Sequence, residues 1–348
     1  MRISVSFYLK IKWTALKCFC LVFAMNHSLV SSFLVCCLCI CALPFVESQF
    51  NWQTLSNGTN GLVSCLAYSV SSKTLFAGGR FTVAGSTTAN YVAAWNQAKW
   101  TALSSGTNDV VNALAFDSNT TSLYIGGAFS QMGTVTANNI ARWNGSNWSS
   151  LSNGTNAAVS ALLFDSISNN LYLGGYFTLS GTANSSAISM WNGTSFVSLS
   201  TGVNNAVLAL TLNSTSRNLF LGGTFTKAAG VTANFVAMWN GTTFHPLSTG
   251  LNGTVYALAF DTIKQDLFIG GQFMQAGSIT ANGIARWDGN SFFPLSTGLN
   301  GTATSLAVVP NPWMLFVGGA FVQAGSASYT TFCAGWDLNA SQWQSLGG

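Results

Sequence analysis

Side chains that could carry acid, base or metal chemistry are scarce in this 348-residue sequence, of which only 6% is charged. Beyond residue 48 the chain has one histidine, His245, and its acidic residues are seven aspartates. No pair of carboxylates stands out for glycoside hydrolysis, although the fold could bring Asp109, Asp266 or Asp288 near a partner. A lone histidine is more often a surface or packing residue than a ligand. We therefore predict no catalytic residue, no metal site and no cofactor.

Four polar residues recur at a spacing of 48: Asp117, Asp165, Asn213 and Asp261. They could mark calcium loops, but the sequence around them lacks the Asp-x-Asp-x-Asp-Gly run that such loops use. Asp and Asn side chains also accept hydrogen bonds from the backbone two residues further on. We interpret these four residues as caps of a repeated turn.

Acceptor sequences for N-linked glycosylation, Asn-x-Ser/Thr, are the strongest chemical signal in the sequence. We expect all of them to lie in exposed turns and several to be used, although Asn-Gly-Thr is also simply a favourable turn sequence. The candidate acceptors are Asn57, Asn119, Asn144, Asn147, Asn153, Asn184, Asn192, Asn213, Asn240, Asn252, Asn300 and Asn339.

Cysteine chemistry is reduced to two residues once the N-terminal leader is set aside, because six of the eight cysteines lie within residues 1–48. The remaining pair, Cys65 and Cys333, falls in the first and last of the repeats described below. In an oxidising compartment we expect them to form a disulfide that joins the two ends of the fold. Two separate buried thiols are the alternative, since cysteine readily replaces Ala and Val in a core.

Residues 1–48 have the order of a secretory signal peptide: basic residues, an apolar run at 33–46, and small residues before Gln49. We expect export through the endoplasmic reticulum with cleavage after Ser48; Met25 is an alternative start. An uncleaved signal anchor at 29–46 is the competing interpretation. The leader carries most of the net charge of +4, so the rest of the chain offers no basic surface for nucleic acid.

From residue 51 the chain consists of six repeats of one sequence unit. A Gly-Gly pair recurs every 48 residues, a Trp follows it at a fixed distance in five of the units, and an aromatic-x-x-Leu element recurs seven times. Such regularity indicates tandem duplication. The Gly-Gly pairs begin at Gly78, Gly126, Gly174, Gly222, Gly270 and Gly318.

Each repeat contains four short apolar runs that are separated by Gly, Asn and Ser, which is typical of β-strands and tight turns. Four strands in about 50 residues, repeated six times, predict an all-β, six-bladed β-propeller over residues 49–348, with a 48-residue repeat and no separate domain. We expect the Gly pairs to supply positive φ and close approach of a neighbouring chain. We also expect one chain end to complete the sheet of the last blade, since there are seven aromatic-x-x-Leu elements for six repeats.

The repeat resembles a known family. An apolar strand ending in Gly-Gly, a Trp-bearing strand and Trp-x-x-Leu are similar to kelch repeats of the galactose-oxidase type. The segments LYIGGAF (123–129) and IARWNG (140–145) look closer to the propeller ectodomains of fungal cortical-marker, or bud-site, surface proteins. The resemblance covers residues 51–348 and implies a secreted or cell-surface glycoprotein that binds, adheres or acts as a scaffold. The spacing of Trp143 and Trp148 departs from the kelch pattern.

Two classes of function follow. The first is a noncatalytic binding module whose protein or glycan ligand contacts a propeller face; a membrane is involved only if the leader stays attached or the chain belongs to a longer protein. The second is a secreted carbohydrate-active enzyme with its site at the central channel. Ligand contacts are expected where residues vary between repeats on a fixed scaffold. The candidates are Arg80, Tyr176, Gln272, Asn112 and Tyr256.

Overall fold

The computed structural model describes residues 53–327, 330 and 332–346, together with three short strands at Tyr8–Ile11, Phe19–Ala24 and Cys39–Ile40. All regular secondary structure in these residues is β-strand, and no helix occurs among them. The predicted cleavage site before Gln49 lies outside the described residues.

Six four-stranded antiparallel sheets follow one another along the chain, and each sheet is one repeat. The predicted all-β class of six four-stranded propeller blades is confirmed. Blade 1 consists of Leu62–Ser69, Thr74–Arg80, Val92–Trp95 and Trp100–Ala102. Blade 2 consists of Val111–Asp117, Ser122–Gly127, Ile140–Trp143 and Trp148–Ser150. Blade 3 consists of Val159–Asp165, Asn170–Gly175, Ile188–Trp191 and Phe196–Ser198. Blade 4 consists of Val207–Leu212, Leu219–Gly223, Val236–Trp239 and Phe244–Pro246. Blade 5 consists of Thr254–Asp261, Asp266–Gln272, Ile284–Trp287 and Phe292–Pro294. Blade 6 consists of Thr302–Pro310, Trp313–Ala320, Cys333–Asp337 and Gln342–Ser345.

The strands of a blade run antiparallel in chain order, so its two ends differ. The tight turns between the first and second strands and between the third and fourth strands lie at one end, here called the turn end. The longer connections lie at the other, here called the loop end. In blades 1 to 5 the connection between the second and third strands also forms a two-stranded hairpin, such as Gln275–Ala276 with Ile279–Thr280.

Contacts group the chain into two compact units. The first unit includes Thr54–Gly202 and therefore contains blades 1 to 3, and the second includes Val203–Gly348 and contains blades 4 to 6. Within each unit the hydrophobic core joins successive blades. One cluster combines Phe76 of blade 1 with Leu123 and Phe129 of blade 2, and another combines Phe268 of blade 5 with Phe321 of blade 6.

The expectation that one chain end completes the last blade is wrong. Blade 6 obtains all four strands from Thr302–Ser345, and blade 1 is equally self-contained. The additional strand, Gln53–Thr54, pairs with Tyr8–Ile11 instead. The additional aromatic-x-x-Leu element has another use: the carbonyl oxygen of Leu55 accepts a hydrogen bond from Nε1 of Trp100 at 3.2 Å. Blades 2 and 6 make the same contact with the Leu of the preceding element, from Trp148 to Leu103 and from Trp343 to Leu295.

The recurring Trp and the aromatic of the aromatic-x-x-Leu element are cross-strand partners. Trp143 on the third strand of blade 2 faces Trp148 on its fourth strand, and their ring centroids are 4.7 Å apart. Equivalent pairs occur in all six blades at 4.6 to 5.5 Å. Tilted aromatic pairs add to the burial energy of the outer strands, which are only three or four residues long.

The Gly pairs act through close approach, as predicted, but not through positive φ, which neither member adopts. A Cβ atom on Gly222 would lie 2.3 Å from Cγ1 of Val255 in the next blade, and one on Gly223 would lie 2.0 Å from the carbonyl oxygen of Ala206. The first glycine therefore allows the neighbouring blade to pack closely, while the second allows the adjacent strand of its own blade to do so.

This contact predicts a coupled pair of substitutions. Gly222→Ala should lower the free energy of unfolding by about 1–3 kcal/mol because the new methyl group overlaps Val255. Adding Val255→Ala should make the double variant less destabilised than the sum of the single variants. Denaturant unfolding of the four proteins measures this coupling.

Gly270→Ala is the matched control. It faces Ala303, whose Cβ would be 2.9 Å from the added methyl group, so it should cost less than Gly222→Ala. Equal costs for the two substitutions, or strict additivity at 222 and 255, would contradict this account of the glycine.

Candidate functional site

The sequence-predicted binding positions lie at the loop end of the first two strands of each blade. Arg80, Tyr176 and Gln272 follow the Gly pairs and are exposed. Asn112 and Tyr256 are half-buried, and each lies at a register shift in the pairing of the first strand with the second. They are the additional residue of a β-bulge, a feature that re-aims side chains next to functional sites. Sequence variation alone did not predict this geometry.

The structure brings only part of this set together. Tyr256 and Gln272 belong to the first two strands of blade 5, whereas Arg80, Asn112 and Tyr176 belong to blades 1, 2 and 3. Gln272 lines a groove of about 590 Å³ at the loop end between blades 5 and 6, and the lining surface of this groove is more apolar than polar. Its other lining residues include Asn252, Met274, Asn282, Asn300 and Thr302.

A second pocket, of about 520 Å³, lies at the turn end between blades 5 and 6 and has a different chemistry. Its wall is built by the turn between Thr254–Asp261 and Asp266–Gln272, by the third and fourth strands of blade 5, and by the first turn of blade 6. The side chains that matter below are those of Asp261, Lys264, Asp266, Arg286, Phe293 and Trp313. We call this the turn-end pocket.

Charged groups in the turn-end pocket are paired. Nη1 of Arg286 donates to Oδ2 of Asp266 at 2.9 Å, and the Asp266 side chain is only 7% exposed. Burial raises the pKa of Asp266 above its ordinary value; the hydrogen bond and charge of Arg286 lower it, and the charges of Asp261 and Asp288 raise it. The two carboxylates are close because Asp261 and Asp266 are cross-strand partners.

Aromatic rings line the same pocket with cations above their faces. Nζ of Lys264 lies 4.5 Å from the ring centroid of Trp313, and the guanidinium carbon of Arg286 lies 4.5 Å from that of Phe293. Nε1 of Trp313 donates to Oδ2 of Asp261 at 2.8 Å, which fixes the indole. The pocket therefore offers π-surfaces, cationic donors and carboxylate acceptors within a few ångströms, a combination suited to binding polar ligands.

Most of this pocket was not predicted from the sequence. The sequence indicates Asp266 as a carboxylate that the fold could bring near a partner, and the structure places it beside Arg286 and Asp261. The available signal was departure from the repeat. Lys264 stands where blades 3 and 4 have Ser168 and Ser216, and Asp266 stands where they have Asn170 and Asn218. Arg286 departs from blades 3 and 4 but not from blade 2, which has Arg142 there.

Other predicted sites have clear structural settings. Oδ1 of Asp117 accepts hydrogen bonds from the backbone N–H groups of Asn119 and Thr120, and Asp165, Asn213 and Asp261 make the same kind of contact. The turn-cap interpretation is thus confirmed. His245 is exposed on an outer strand, where its Nε2 lies 2.9 Å from Nδ2 of Asn240. The described residues contain no group of three or more His, Cys, Asp or Glu placed to hold a metal ion.

One of the twelve glycosylation sequences contradicts the expected exposure. Eleven acceptor asparagines are exposed, although Asn184 lies in a short strand, Ala183–Asn184, and not in a turn. Asn213 is only 8% exposed, because it is the turn cap of blade 4 and its Nδ2 donates to Oε1 of Gln265 at 2.8 Å. A duplicated turn thus produced an acceptor sequence at a structural position.

Comparisons with known proteins show similarity over part of the chain. Residues 93–190, about two repeat lengths, match the family model described as the Rax2 C-terminal beta propeller domain. The chain is similar to a solved structure of RRP9 WD40 repeats, with a TM-score of 0.51, 16% identity, and coverage of 77% of this chain and 74% of that one. A structure of U3-55K is similar with a TM-score of 0.50 and 15% identity, and the match covers 77% of this chain and 75% of that one. At these identities the likeness shows the fold alone.

No curated protein sequence matches the chain. The resemblance to Rax2 propellers supports the predicted bud-site marker type over the matched residues, whereas the kelch and galactose-oxidase assignment stays a prediction. The described residues include no helix long and apolar enough to cross a membrane.

The Asp266 environment predicts a dependence of stability on pH. Because the pKa of Asp266 is raised in the folded chain, the folded state holds this proton more strongly than the unfolded state does. The binding of this proton stabilises the fold fully at a pH below the pKa of Asp266 in the unfolded chain. This stabilisation is lost as the pH rises through the pKa of Asp266 in the folded chain. The melting temperature of the wild type relative to Asp266→Asn should therefore fall from about pH 4 upward and then level off. A constant difference over that range would exclude the raised pKa.

The predicted disulfide has its own test. Cys65 and Cys333 are both buried, on the first strand of blade 1 and the third strand of blade 6. We expect a peptide map of the protein expressed in an oxidising compartment and alkylated without reduction to contain one peptide pair linked through these residues, which reduction separates. Recovery of both residues as alkylated thiols from the unreduced protein would refute the bond.

Proposed function

We propose that this chain is a noncatalytic secreted or cell-surface glycoprotein that binds a protein or glycan ligand through its propeller blades. The leader sequence and the similarity to Rax2 propellers support export. The absence of a basic surface beyond the leader argues against nucleic acid as a partner. Propeller blades are rigid, so ligand contacts can be varied at their ends without loss of the scaffold.

The observation that carries the proposal is the turn-end pocket. In a chain with so few charges, Asp261, Lys264, Asp266 and Arg286 gather around two aromatic rings in one place. Aromatic faces with adjacent carboxylates and cations are suited to sugar rings and to polar peptide side chains alike. The pocket breaks the repeat at Lys264 and Asp266, where blades 1 to 4 have uncharged residues, as expected for a site added to a scaffold. Arg286 has a charged counterpart in Arg142 of blade 2.

The carbohydrate-active enzyme stays the second candidate because one observation favours it. Asp261 and Asp266 are neighbouring carboxylates, and the pKa of one is raised, as paired-carboxylate hydrolysis requires. Both carboxylates are nevertheless engaged: Asp261 accepts from Ile263 and Trp313, and Asp266 is bound to Arg286. These contacts leave neither carboxylate poised to donate a proton or to attack, so the binding function is preferred.

A binding experiment with matched variants tests the proposal. Phe293→Ala should weaken binding of the secreted protein to an array of defined oligosaccharides and to intact cell surfaces by about tenfold, as loss of 1.4 kcal/mol requires. Val197→Ala is the control, because Val197 has the same place in blade 3 and nearly the same exposure, 38% against 37%. Equal binding by both variants would remove the pocket from the function.

The same preparation separates the two candidate functions and tests export. Release of sugar products that is lost in Asp266→Asn would establish the enzyme instead of the binding module. N-terminal sequencing of protein from the medium should begin near Gln49. Protein that stays in the membrane fraction at full length would instead favour the uncleaved anchor.

A further inference from the structure

A recurring asparagine secures the loop end of all six blades. Its Oδ1 accepts hydrogen bonds from two consecutive backbone N–H groups, 22 and 23 residues further on, at 2.9 to 3.0 Å. We call this contact the asparagine clasp. A single side-chain oxygen thus satisfies two donors that would otherwise be lost from the connection between strands. The six residues are Asn60, Asn108, Asn156, Asn204, Asn252 and Asn300.

The hydrogen bond of the amide nitrogen, Nδ2, divides the blades into two groups. In blades 1 to 4, Nδ2 donates to a Thr or Ser hydroxyl at 2.9 to 3.0 Å, as from Asn60 to Thr82. In blades 5 and 6 the hydroxyl residue is replaced by Met274 and Val322. Nδ2 of Asn252 and Nδ2 of Asn300 therefore have no hydrogen-bond acceptor among the residues that the structure describes.

The two blades that lack the hydroxyl are the two in which the clasp asparagine begins a glycosylation sequence. Thr254 and Thr302 lie two residues after Asn252 and Asn300. The other four blades have an apolar residue at that place, Leu62, Val110, Ala158 or Ala206. In all six repeats, therefore, the glycosylation sequence is present where the hydroxyl that accepts from Nδ2 is absent, and it is absent where that hydroxyl is present. Because N-linked glycans attach to Nδ2, the nitrogen that is released from its hydrogen bond is the one that the modification needs.

The same two replacements also leave large apolar side chains exposed. Met274 is 69% exposed and Val322 is 55% exposed, and the backbone N–H of each donates to Oδ1 of the clasp asparagine. Large apolar side chains at that exposure have an unfavourable contact with water unless something covers them. The C–H-rich face of a sugar ring attached at the neighbouring Nδ2 is placed to do so.

We propose that Asn252 and Asn300 carry N-linked glycans in the folded protein, with the first N-acetylglucosamine of each lying over Met274 and Val322. In the transfer step, Nδ2 forms a bond to C1 of the sugar and gives up one proton. The bond from C1 to the diphosphate of a lipid-linked oligosaccharide breaks, and the lipid diphosphate leaves. The inference rests on the proposed export through the secretory pathway.

Asn213 supplies the internal contrast. Its acceptor sequence is as complete as that of Asn252, but the residue is 8% exposed and its Nδ2 donates to Gln265. A glycan there would break this contact and force the turn of blade 4 open. Folded molecules should therefore carry no glycan at Asn213.

The assignment also affects the choice of binding site. Asn252, Met274 and Asn300 line the loop-end groove between blades 5 and 6, so two glycans would stand at its rim. The turn-end pocket lies at the opposite end of the same two blades and stays open to a ligand. Glycosylation would thus narrow the loop-end groove and leave the turn-end pocket accessible.

Site mapping on the wild-type chain is the primary test. The protein secreted from a eukaryotic host is treated with peptide N-glycosidase in ¹⁸O-labelled water, which converts each glycosylated Asn to labelled Asp. We expect label at Asn252 and Asn300 and none at Asn213. Label at other sites but not at these two would overturn the inference and leave export standing. A chain without label at any of its acceptor sequences would instead contradict export itself.

Matched variants test the role of the exposed apolar residues. Thr254→Ala removes the acceptor sequence but keeps Asn252 and both clasp hydrogen bonds, and Thr254→Ser keeps the acceptor sequence. Only Thr254→Ala should lose the mass of one glycan, and its Met274 should be oxidised by peroxide several-fold faster, because the thioether is uncovered. Adding Met274→Thr to Thr254→Ala should raise the melting temperature by restoring an acceptor for Nδ2. Unchanged Met274 oxidation in Thr254→Ala would refute the sugar contact even if Asn252 is glycosylated.

Discussion

The close approach of successive blades at a residue without a side chain is the constraint on which this fold depends. The first glycine of the pair leaves 2.3 to 2.9 Å between a hypothetical Cβ and the nearest atom of the following blade at Gly78, Gly126, Gly222 and Gly270. Close packing of this kind tolerates little change in strand spacing. It explains why the Gly pairs keep a strict 48-residue period, while the residues immediately after them are free to differ.

The repeats differ in chemistry mainly at the blade ends, where residues can vary without disturbing the core. The core strands and the aromatic pairs of the outer strands are similar from blade to blade, so a charged residue placed in a turn or on an outer strand does not disturb packing. Lys264 and Arg286 illustrate this, since each replaces an uncharged residue of the preceding blade and covers an aromatic ring. The carboxylate of Asp266 then acquires a partner in a buried setting, which avoids the cost of an unpaired charge.

Sequence alone predicted the architecture because each repeat is an independent copy of the same evidence for strands and turns. It also predicted the Asx caps, since that contact lies within three residues. It could not predict the turn-end pocket, because Asp261 and Trp313 are 52 residues apart and meet only through blade packing. The failure at Asn213 has the opposite cause: an acceptor sequence is local, whereas the burial of its nitrogen depends on Gln265 of the next blade.

The two ends of blades 5 and 6 solve the problem of a nearly uncharged surface in different ways. At the turn end, Arg286 pairs with Asp266, Lys264 lies over the ring of Trp313, and Asp261 accepts a hydrogen bond from Trp313, so that each charged group has a partner. At the loop end, the asparagine clasp satisfies the backbone, and Met274 and Val322 stay exposed where the other blades place hydroxyl groups. A chain with 6% charged residues gains little solubility from its own side chains. Sugars attached at the loop end would supply the missing hydrophilic surface without adding charge near the turn-end pocket and its ion pair between Arg286 and Asp266.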